Sequence, residues 1–470
     1  GFYVGALLGD IKYLLEVNGR YDGTSRFMKD QRWNFFPSFS LGWNVARENF
    51  WKPLESVVNQ FKLRGSWGEL GNQNTSNLYP FYEILPVKSN SGNWLVNGGK
   101  TNTADIPSLV STLLTWERVR SFNVGFDFGA FSNRLTGSFD YFVRKTVDMV
   151  GPAPQLPLVL GIAPAIVNNA DMKSYGFEIE LSWRDRIGEV DYGVKFNLAD
   201  AQQKVGKYPN TTNAFSDWYA GKMSGEIWGY TSLGIAKTDE EMKEHLASLP
   251  NGGQNQLGNK WGAGDIMYAD INGDGKVDGG KGTLADPGDQ RIIGNSTPRY
   301  NFGLVLDASY KGFDVSIFFQ GVGKRDYAPI VGTNGAVFWG AVNNIWQSMA
   351  MEEHFDYFRP EGHPMGANLN GYYPRPDFTS NKNHQVQTRY LQDASYIRLK
   401  NLQIGYTLPK QWINKLHINR CRVYVSGDNL WTGTSLASMF DPETLAAGDW
   451  GSGKTYPLSK VISFGLNVNF

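Results

Sequence analysis

The C-terminal segment 461–470 alternates without interruption between apolar and polar side chains. Its apolar set consists of Ile462, Phe464, Leu466, Val468 and Phe470. Because successive side chains of a β-strand point to opposite faces, this pattern predicts a strand with one apolar and one polar face. Such an apolar face covers a core in a soluble protein. In a membrane barrel it meets lipid, and the polar face lines a wet interior.

The same alternation recurs along the chain. It is clearest in segments 38–45, 121–128, 174–183, 191–198 and 313–320. We predict thirteen strands, near 2–9, 11–22, 36–46, 59–69, 117–130, 135–147, 173–184, 190–201, 298–310, 313–324, 395–408, 419–430 and 458–470. The polar positions often carry charge, as at Glu178 and Glu180, which suits a water-filled interior. The sequence therefore predicts an all-β fold, a transmembrane antiparallel β-barrel in contact with the lipid bilayer.

The connections between the predicted strands alternate strictly between short and long. The long ones are 23–35, 70–116, 148–172, 202–297, 325–394 and 431–457. Outer-membrane barrels have short periplasmic turns and long extracellular loops. We therefore expect a bacterial outer-membrane location with Phe470 on the periplasmic side. The stretch 226–236 is assigned to the loop 202–297, because one more barrel strand would break the alternation.

Composition narrows the class further. The 470 residues include 15 Trp, 23 Tyr and 28 Phe. The 45 basic and 45 acidic residues leave no net charge, so there is no electrostatic reason to expect nucleic acid as a partner. No apolar run approaches the roughly 18 residues of a transmembrane helix. The single cysteine, Cys421, rules out an intramolecular disulfide and is expected to pack within a strand.

Short motifs follow one another in a fixed order along the chain. They occupy 20–27, 36–43, 63–68, 71–73, 264–266, 270–275, 310–314, 395–401 and 426–430. The last of them reads Ser426-Gly427-Asp428-Asn429-Leu430. This ordered set resembles the barrel of SusC/RagA-type TonB-linked outer-membrane proteins of Bacteroidetes, and the resemblance spans almost the whole chain.

The resemblance implies that residues 1–470 are the C-terminal part of a barrel of about twenty-two strands with a plugged lumen. Single-chain bacterial barrels normally have an even number of strands, and an open sheet edge cannot face lipid. We therefore expect further strands, the plug and the segment that contacts the TonB complex to lie outside this sequence. The resemblance also implies an importer of glycans or oligopeptides, with a SusD-like surface lipoprotein as its lid.

One motif suggests a metal site. Oxygen-bearing side chains alternate at Asp270, Asn272, Asp274 and Asp278, and Lys276 offers a backbone carbonyl. With Gly275 at the sixth position, this is the first half of a calcium loop. The twelfth position is Lys281 instead of a bidentate Glu, so Asp286 or Asp289 would have to replace that ligand. The alternative is an Asp/Asn/Gly turn cluster that organises the loop without metal.

The two longest loops, 202–297 and 325–394, are rich in aromatic residues. The candidates for partner binding are Trp339, Trp346, Tyr357, Tyr372 and Tyr373. Exposed rings can stack on sugars or anchor a protein partner. The alternative is that they pack the loops against one another, as loops of this length require. The resemblance implies that these loops seat the lipoprotein lid.

No arrangement of residues suggests catalysis. The five histidines are scattered without zinc-ligand spacing. Glu178 and Glu180 lie on one face of a strand and fit lumen-lining residues better than an acid/base pair. We therefore predict a transporter and no enzyme. Two other classes remain open, namely a secreted or surface β-rich binding or adhesion protein without transport, and an outer-membrane barrel enzyme. Substrate-binding residues are not predicted.

Overall fold

Thirteen strands form one sheet in the computed structural model of this chain, each strand hydrogen-bonded to the next in chain order. The structure describes residues 2–9, 12–73, 78–107, 109–151, 159, 161–162, 165–329, 336–340, 350–377, 382–414, 417–445 and 455–470. In chain order the strands are β1 (Phe2–Gly9), β2 (Tyr13–Gly23), β3 (Trp33–Asn44), β4 (Val58–Asn72), β5 (Val87–Lys88), β6 (Leu95–Val96), β7 (Gly99–Lys100), β8 (Thr103–Ala104), β9 (Glu117–Ala130), β10 (Leu135–Gly151), β11 (Val167–Ile187), β12 (Val190–Lys207), β13 (Glu226–Gly229), β14 (Ser232–Ile235), β15 (Ile266–Tyr268), β16 (Arg291–Asn295), β17 (Arg299–Tyr310), β18 (Phe313–Lys324), β19 (Asp326–Tyr327), β20 (Gln392–Asp393), β21 (Tyr396–Thr407), β22 (Arg420–Thr434) and β23 (Val461–Asn469). The sheet uses β1–β4, β9–β12, β17, β18 and β21–β23.

Among the described residues, helices are few and short. They are α1 (Asp239–Ala247), α2 (Ala336–Trp339) and α3 (Lys410–Ile413), with 3-10 turns at Lys29–Gln31, Val45–Arg47, Asn49–Leu54, Glu352–Phe355 and Thr388–Tyr390. In the described part of the chain, none of the helices has the length and apolar character needed to span a bilayer.

All thirteen predicted strands are strands of the sheet, which confirms the all-β prediction. Several of them extend beyond the predicted ends. β11 runs from Val167 to Ile187 although the pattern predicted 173–184, and β12 continues to Lys207 instead of 201. The reason is that a ladder continues through its backbone hydrogen bonds even where the alternation of apolar and polar residues has ended.

The chain forms two compact units. Unit 1 comprises Gly1–Ile179, Ala201–Asn213 and Asp217–Met223. Its ladders β1–β2–β3–β4–β9–β10 are antiparallel. Leu41 lies opposite Leu15 and Gly65, and its side chain is 62% exposed on the apolar face of the sheet. A small core of Phe27, Phe36, Leu114 and Trp116 holds the end of the connection 73–116 near the start of β3.

The polar face of unit 1 carries linked charges. The guanidinium group of Arg64 on β4 donates to the carboxylates of Asp127 on β9 and Asp140 on β10. Arg120 donates to Glu69 at 2.6 Å. An apolar exposed face and a charged opposite face on the same strands are what period-two alternation predicts for a barrel with a wet interior.

Unit 2 comprises Glu180–Asp200, Ala214–Ser216 and Ser224–Phe470. Its ladders β12–β17–β18–β21–β22–β23 are also antiparallel. β17 and β18 are joined by Lys311 and Gly312, whose φ angles are 46° and 91°, a backbone that suits a two-residue hairpin turn. Phe464 on β23 is 86% exposed, and on the other face Arg422 donates to Asp314.

The long connections of unit 2 contain small sheets of their own. β13 pairs with β16, β14 with β15, and β19 with β20. The stretch 226–236 therefore lies outside the large sheet, as predicted. Helix α1 begins after Thr238, whose hydroxyl accepts a hydrogen bond from the Glu241 amide at 3.1 Å, an N-terminal cap that stabilises short helices.

Candidate partner-binding surface and cation loop

One hydrophobic core joins three connections of unit 2. Its buried residues are Tyr230, Leu249, Ile266, Tyr268, Val277, Val337, Phe338, Trp339, Tyr373, Tyr390, Ala394, Leu436, Phe440 and Leu445. We call this set the loop core. It draws residues from the described parts of the connections 224–298, 325–395 and 435–460. Burial of this much apolar surface stabilises the connections as one folded body.

Phe338 lies in the middle of the loop core. Its ring centroid is 4.9 Å from that of Trp339, 5.4 Å from that of Tyr373 and 5.9 Å from that of Tyr390. The rings are tilted or edge-to-face, arrangements that aromatic pairs favour. Phe338 is fully buried, so this aromatic cluster has a packing role.

The aromatic residues predicted for partner binding differ in their burial. Trp339 and Tyr373 are buried in the loop core. Tyr372 and Tyr357 are half-buried, and the hydroxyl of Tyr372 accepts a hydrogen bond from Gln392 at 2.9 Å. Trp346 lies outside the described residues. The packing role left open by the sequence accounts for Trp339 and Tyr373, and their part in partner binding stays a prediction.

A buried carboxylate fastens two of these connections together. Asp265 precedes β15 and is fully buried. Its Oδ1 accepts hydrogen bonds from Arg375 Nε (2.7 Å) and Asn383 Nδ2 (2.9 Å). Its Oδ2 accepts from the Gly262 amide (2.9 Å) and Lys382 Nζ (2.8 Å). The free-energy cost of burying a charge is offset when the charge is paired and fully hydrogen-bonded. The carboxylate of Asp265 meets both conditions.

Burial also sets the protonation of ionisable groups in and beside the loop core. It raises the pKa of Tyr230 to about 12 and raises the pKa of Tyr268 well above its usual value. Burial lowers the pKa of His384 to about 4, and the nearby charge of Asp377 opposes this shift. The rings of His384 and Trp339 lie 4.5 Å apart. These three ionisable groups are therefore neutral near pH 7.

The predicted cation loop is folded into tight turns. Oδ1 of Asp270 accepts a hydrogen bond from the Gly273 amide at 2.7 Å, and Oδ2 accepts from the Gly275 amide at 2.8 Å. Oδ1 of Asn272 accepts from the Asp274 amide at 3.0 Å. Gly273 and Gly275 have φ angles of 77° and 80°, a left-handed backbone that favours glycine. Side chains of this loop therefore cap its own backbone.

Asp278 and Asp289 lie on the buried side of this loop. Oδ2 of Asp278 is 2.5 Å from the ammonium nitrogen of Lys276. Asp289 was a candidate for the missing twelfth ligand. Its carboxylate instead accepts from the backbone amides of Ile271 at 2.7 Å and Asp278 at 2.8 Å. Burial raises the pKa of Asp289, and these backbone donors oppose that shift.

Within the part of the chain that the structure describes, no three His, Cys, Asp or Glu side chains are grouped so as to hold a metal ion. The turn-cluster alternative accounts for the hydrogen bonds of Asp270, Asn272 and Asp289. Calcium binding by Asp270, Asn272, Asp274, Lys276 and Asp278 stays a prediction.

Sequence reasoning missed two features of unit 2. The first is the buried pairing of Asp265 with Lys382 and Arg375, although Asp265 belongs to the recognised 264–266 motif. The second is Arg359, whose guanidinium group donates to two backbone carbonyls of its own loop. Neither could be predicted from the spacing of residues in the sequence, because both depend on contacts made by loop segments that have no periodic pattern.

Comparison with known proteins places this architecture in a family. A family model described as TonB dependent receptor-like, beta-barrel matches residues 7–430. The chain belongs to this family. Barrels of TonB-dependent receptors are outer-membrane proteins, which agrees with the exposed apolar faces of β3 and β23.

Curated TonB-dependent receptors match the chain along almost its full length. TonB-dependent receptor P3 of Formosa agariphila is 29% identical over 489 residues, which cover 98% of this chain and 44% of that protein. TonB-dependent receptor SusC of Bacteroides thetaiotaomicron is 23% identical over 473 residues, which cover 98% of this chain and 42% of that protein. The chain thus spans less than half the length of these relatives.

A solved structure has the same fold. The RagAB peptide transporter superimposes with a TM-score of 0.73 at 22% identity, covering 98% of this chain and 46% of the other. The RagAB peptide importer in its "open-open" state gives a TM-score of 0.74, also at 22% identity, with coverage of 100% and 47%. At this identity the likeness shows the fold.

Proposed function

We propose that this chain is the C-terminal portion of the barrel of a TonB-dependent outer-membrane importer of SusC type. The observation that carries the proposal is the two-faced sheet. In unit 1 the strands expose apolar side chains such as Leu41 on one face and bear linked charges such as Arg64 and Asp127 on the other. Unit 2 has the same two faces, with Phe464 on one and the pair Arg422–Asp314 on the other. A lipid-facing band and a polar lumen are the two surfaces that a transport barrel needs.

The cargo in this proposal is an oligopeptide or a glycan. The similarity to a peptide transporter and to SusC supports these two classes. We propose in addition that a SusD-like lipoprotein covers the long connections and that the TonB complex supplies energy. The loop core supports the lid, because it joins the described parts of the connections 224–298, 325–395 and 435–460 in one folded platform. The long connections would then be extracellular and Phe470 periplasmic.

Uptake by the full-length protein in its native outer membrane tests the proposal. Fluorescent oligopeptide or oligosaccharide libraries are offered to cells that have or lack the gene for this protein. Each of these strains is tested with and without functional TonB. We expect one class of cargo to accumulate in the periplasm only when both are present. Binding of cargo at the cell surface without TonB-dependent entry would contradict import and favour a surface-binding protein.

A further inference from the structure

Two large apolar side chains project from the connection 325–395 into solvent. Phe355 is 57% exposed and Met365 is 56% exposed. Nη1 of Arg359 donates to the carbonyl of Phe355 at 2.6 Å, and its Nε donates to the carbonyl of Gly366 at 2.9 Å. The guanidinium group of Arg359 therefore links the backbone at Phe355 to the backbone at Gly366. We call residues 352–366 the acidic tip.

The acidic tip is mounted rigidly on the loop core. Phe358 is buried, and its amide donates to the Tyr373 carbonyl at 2.9 Å, while the Tyr373 amide donates to the Asp356 carbonyl at 2.9 Å. The amide of Arg359 donates to the Asn368 carbonyl at 3.0 Å. Phe355 is thus held outward by the same backbone that turns Phe358 inward. A fixed apolar side chain in water is a common property of interaction surfaces.

The acidic tip carries more negative than positive side chains. Its carboxylates are Glu352, Glu353, Asp356 and Glu361, and Arg359 is its one Lys or Arg residue. Glu353 accepts a hydrogen bond from Ser438, and Asp356 accepts one from Asn368. Among the described residues, no Lys or Arg forms an ion pair with any of the four carboxylates. Four carboxylates and one guanidinium group give the tip a net charge of −3 with neutral histidines, around two exposed apolar side chains.

We propose that the acidic tip is a docking surface for a protein partner that presents basic residues around an apolar depression. Charge complementarity selects this partner, because like-charged surfaces are rejected and opposite charge speeds association. Phe355 and Met365 are the anchors that the depression receives. The proposal rests on the proposed function in one respect, since it takes the partner to be the lipoprotein lid.

The test uses the full-length protein, purified in detergent from its own outer membrane with the lipid-anchored partner attached. The apolar variant is Phe355→Ser with Met365→Ser. Its matched control is Ile187→Ser with Trp412→Ser, two exposed apolar residues of unit 2 outside the long connections. We expect the apolar variant to retain about tenfold less lipoprotein, and the control to retain it fully. Equal protection of 382–390 against hydrogen exchange checks that both fold.

The charge variant is Glu352→Gln with Glu361→Gln. Its matched control is Glu55→Gln with Glu189→Gln, two exposed carboxylates outside the long connections. We expect rebinding of purified lipoprotein to the charge variant to slow roughly threefold at low salt, and to match wild type at about 1 M salt.

The outcomes separate the two proposals. A wild-type protein that carries no lipoprotein contradicts the proposed function as well as this docking surface. A lipoprotein retained and rebound equally by wild type and both tip variants overturns the docking surface alone. Equal losses in a tip variant and its control also overturn it, because the effect would then not depend on the tip.

Discussion

Asp265 and Lys382 form a buried ion pair in unit 2, with Oδ2 and Nζ 2.8 Å apart. They are 117 residues apart in the sequence. Lys382 is buried, its ammonium group also donates to the carbonyls of Asn259 and Lys260, and it lies over the ring of Trp261. The pair therefore links the connections 208–298 and 325–395 at a point that water does not reach.

Replacing Asp265 by Asn should loosen the loop core. The substitution keeps the shape of the side chain but removes the nearest counter-charge of the buried Lys382 ammonium, because the remaining carboxylate, Asp377, lies 3.8 Å away. Removing one partner of a buried pair costs about 3–5 kcal/mol. We expect segments 258–268 and 382–390 to lose protection against hydrogen exchange. Lys260→Met is the matched control, because the Lys260 side chain is exposed and only its carbonyl takes part. Equal protection in both variants would show that the pair does not stabilise the loops.

Substitution of Val124 by Arg should destabilise the barrel. Val124 lies on β9 and is part of the exposed apolar face. An Arg on the lipid face costs roughly 2–4 kcal/mol near the bilayer midplane. The neighbouring Asn123 faces the opposite side, so Asn123→Arg is the control. Urea unfolding of the full-length protein in lipid vesicles measures the difference. Equal stability of the two variants would place the apolar face away from lipid.

Calcium should protect the loop 270–289. We propose that oxygens of Asp270, Asn272 and Asp274 bind the ion at about 2.3–2.6 Å. Millimolar calcium should then slow hydrogen exchange in this loop, and a chelator should reverse the effect. Asp274→Ala should abolish it, whereas Glu240→Gln, an exposed carboxylate on α1 outside the loop, should leave it unchanged. Identical exchange with and without calcium would leave the turn cluster as the explanation.

The loop core should weaken as the pH falls below about 6.5. Burial lowers the pKa of His384 from 6.5 to about 4 in the folded protein. Between pH 6.5 and 4 the unfolded state binds a proton at His384 more readily than the folded state does. The contribution of neutral His384 to the free energy of unfolding is therefore fully present above pH 6.5 and is lost as the pH approaches 4. The total loss is about 3 kcal/mol. Hydrogen exchange in 382–390 measures it.

Two variants test this assignment to one histidine. His384→Phe keeps an aromatic ring beside Trp339 and removes the titrating group, so the pH dependence should shrink. His417→Asn, at an exposed turn, should keep it. A pH profile that is the same in His384→Phe as in wild type would assign the dependence to other groups.

The strands could be predicted because the two faces of a barrel strand meet different surroundings, one apolar and one polar. Ile462, Phe464 and Leu466 alternate with polar residues since each must meet the same surface as the residue two positions away. The hairpin at Lys311 and Gly312 was predictable from its short link between two such patterns. Strand ends were less predictable, as at Val167 in β11, because backbone ladders extend past the apolar pattern.

The roles of the loop aromatics could not be predicted. Trp339 and Phe355 both lie in the connection 325–395, yet the first is buried and the second is exposed. Nothing local distinguishes them, since irregular segments have no period that separates an inner from an outer face. The direction of each side chain depends on partners far away in the sequence, such as the 373–390 segment around Trp339.

The sequence by itself determined the thirteen strands, their order and their two faces, because those properties repeat every second residue and need only neighbouring residues to express them. Only the tertiary structure decided that Asp265 meets Lys382, that Tyr373 packs inward and that Phe355 and Met365 share one acidic tip. Those relationships arise from contacts between segments that are separated in the sequence or from turns without periodicity. Long-range packing of this kind leaves no repeating signal in a single sequence.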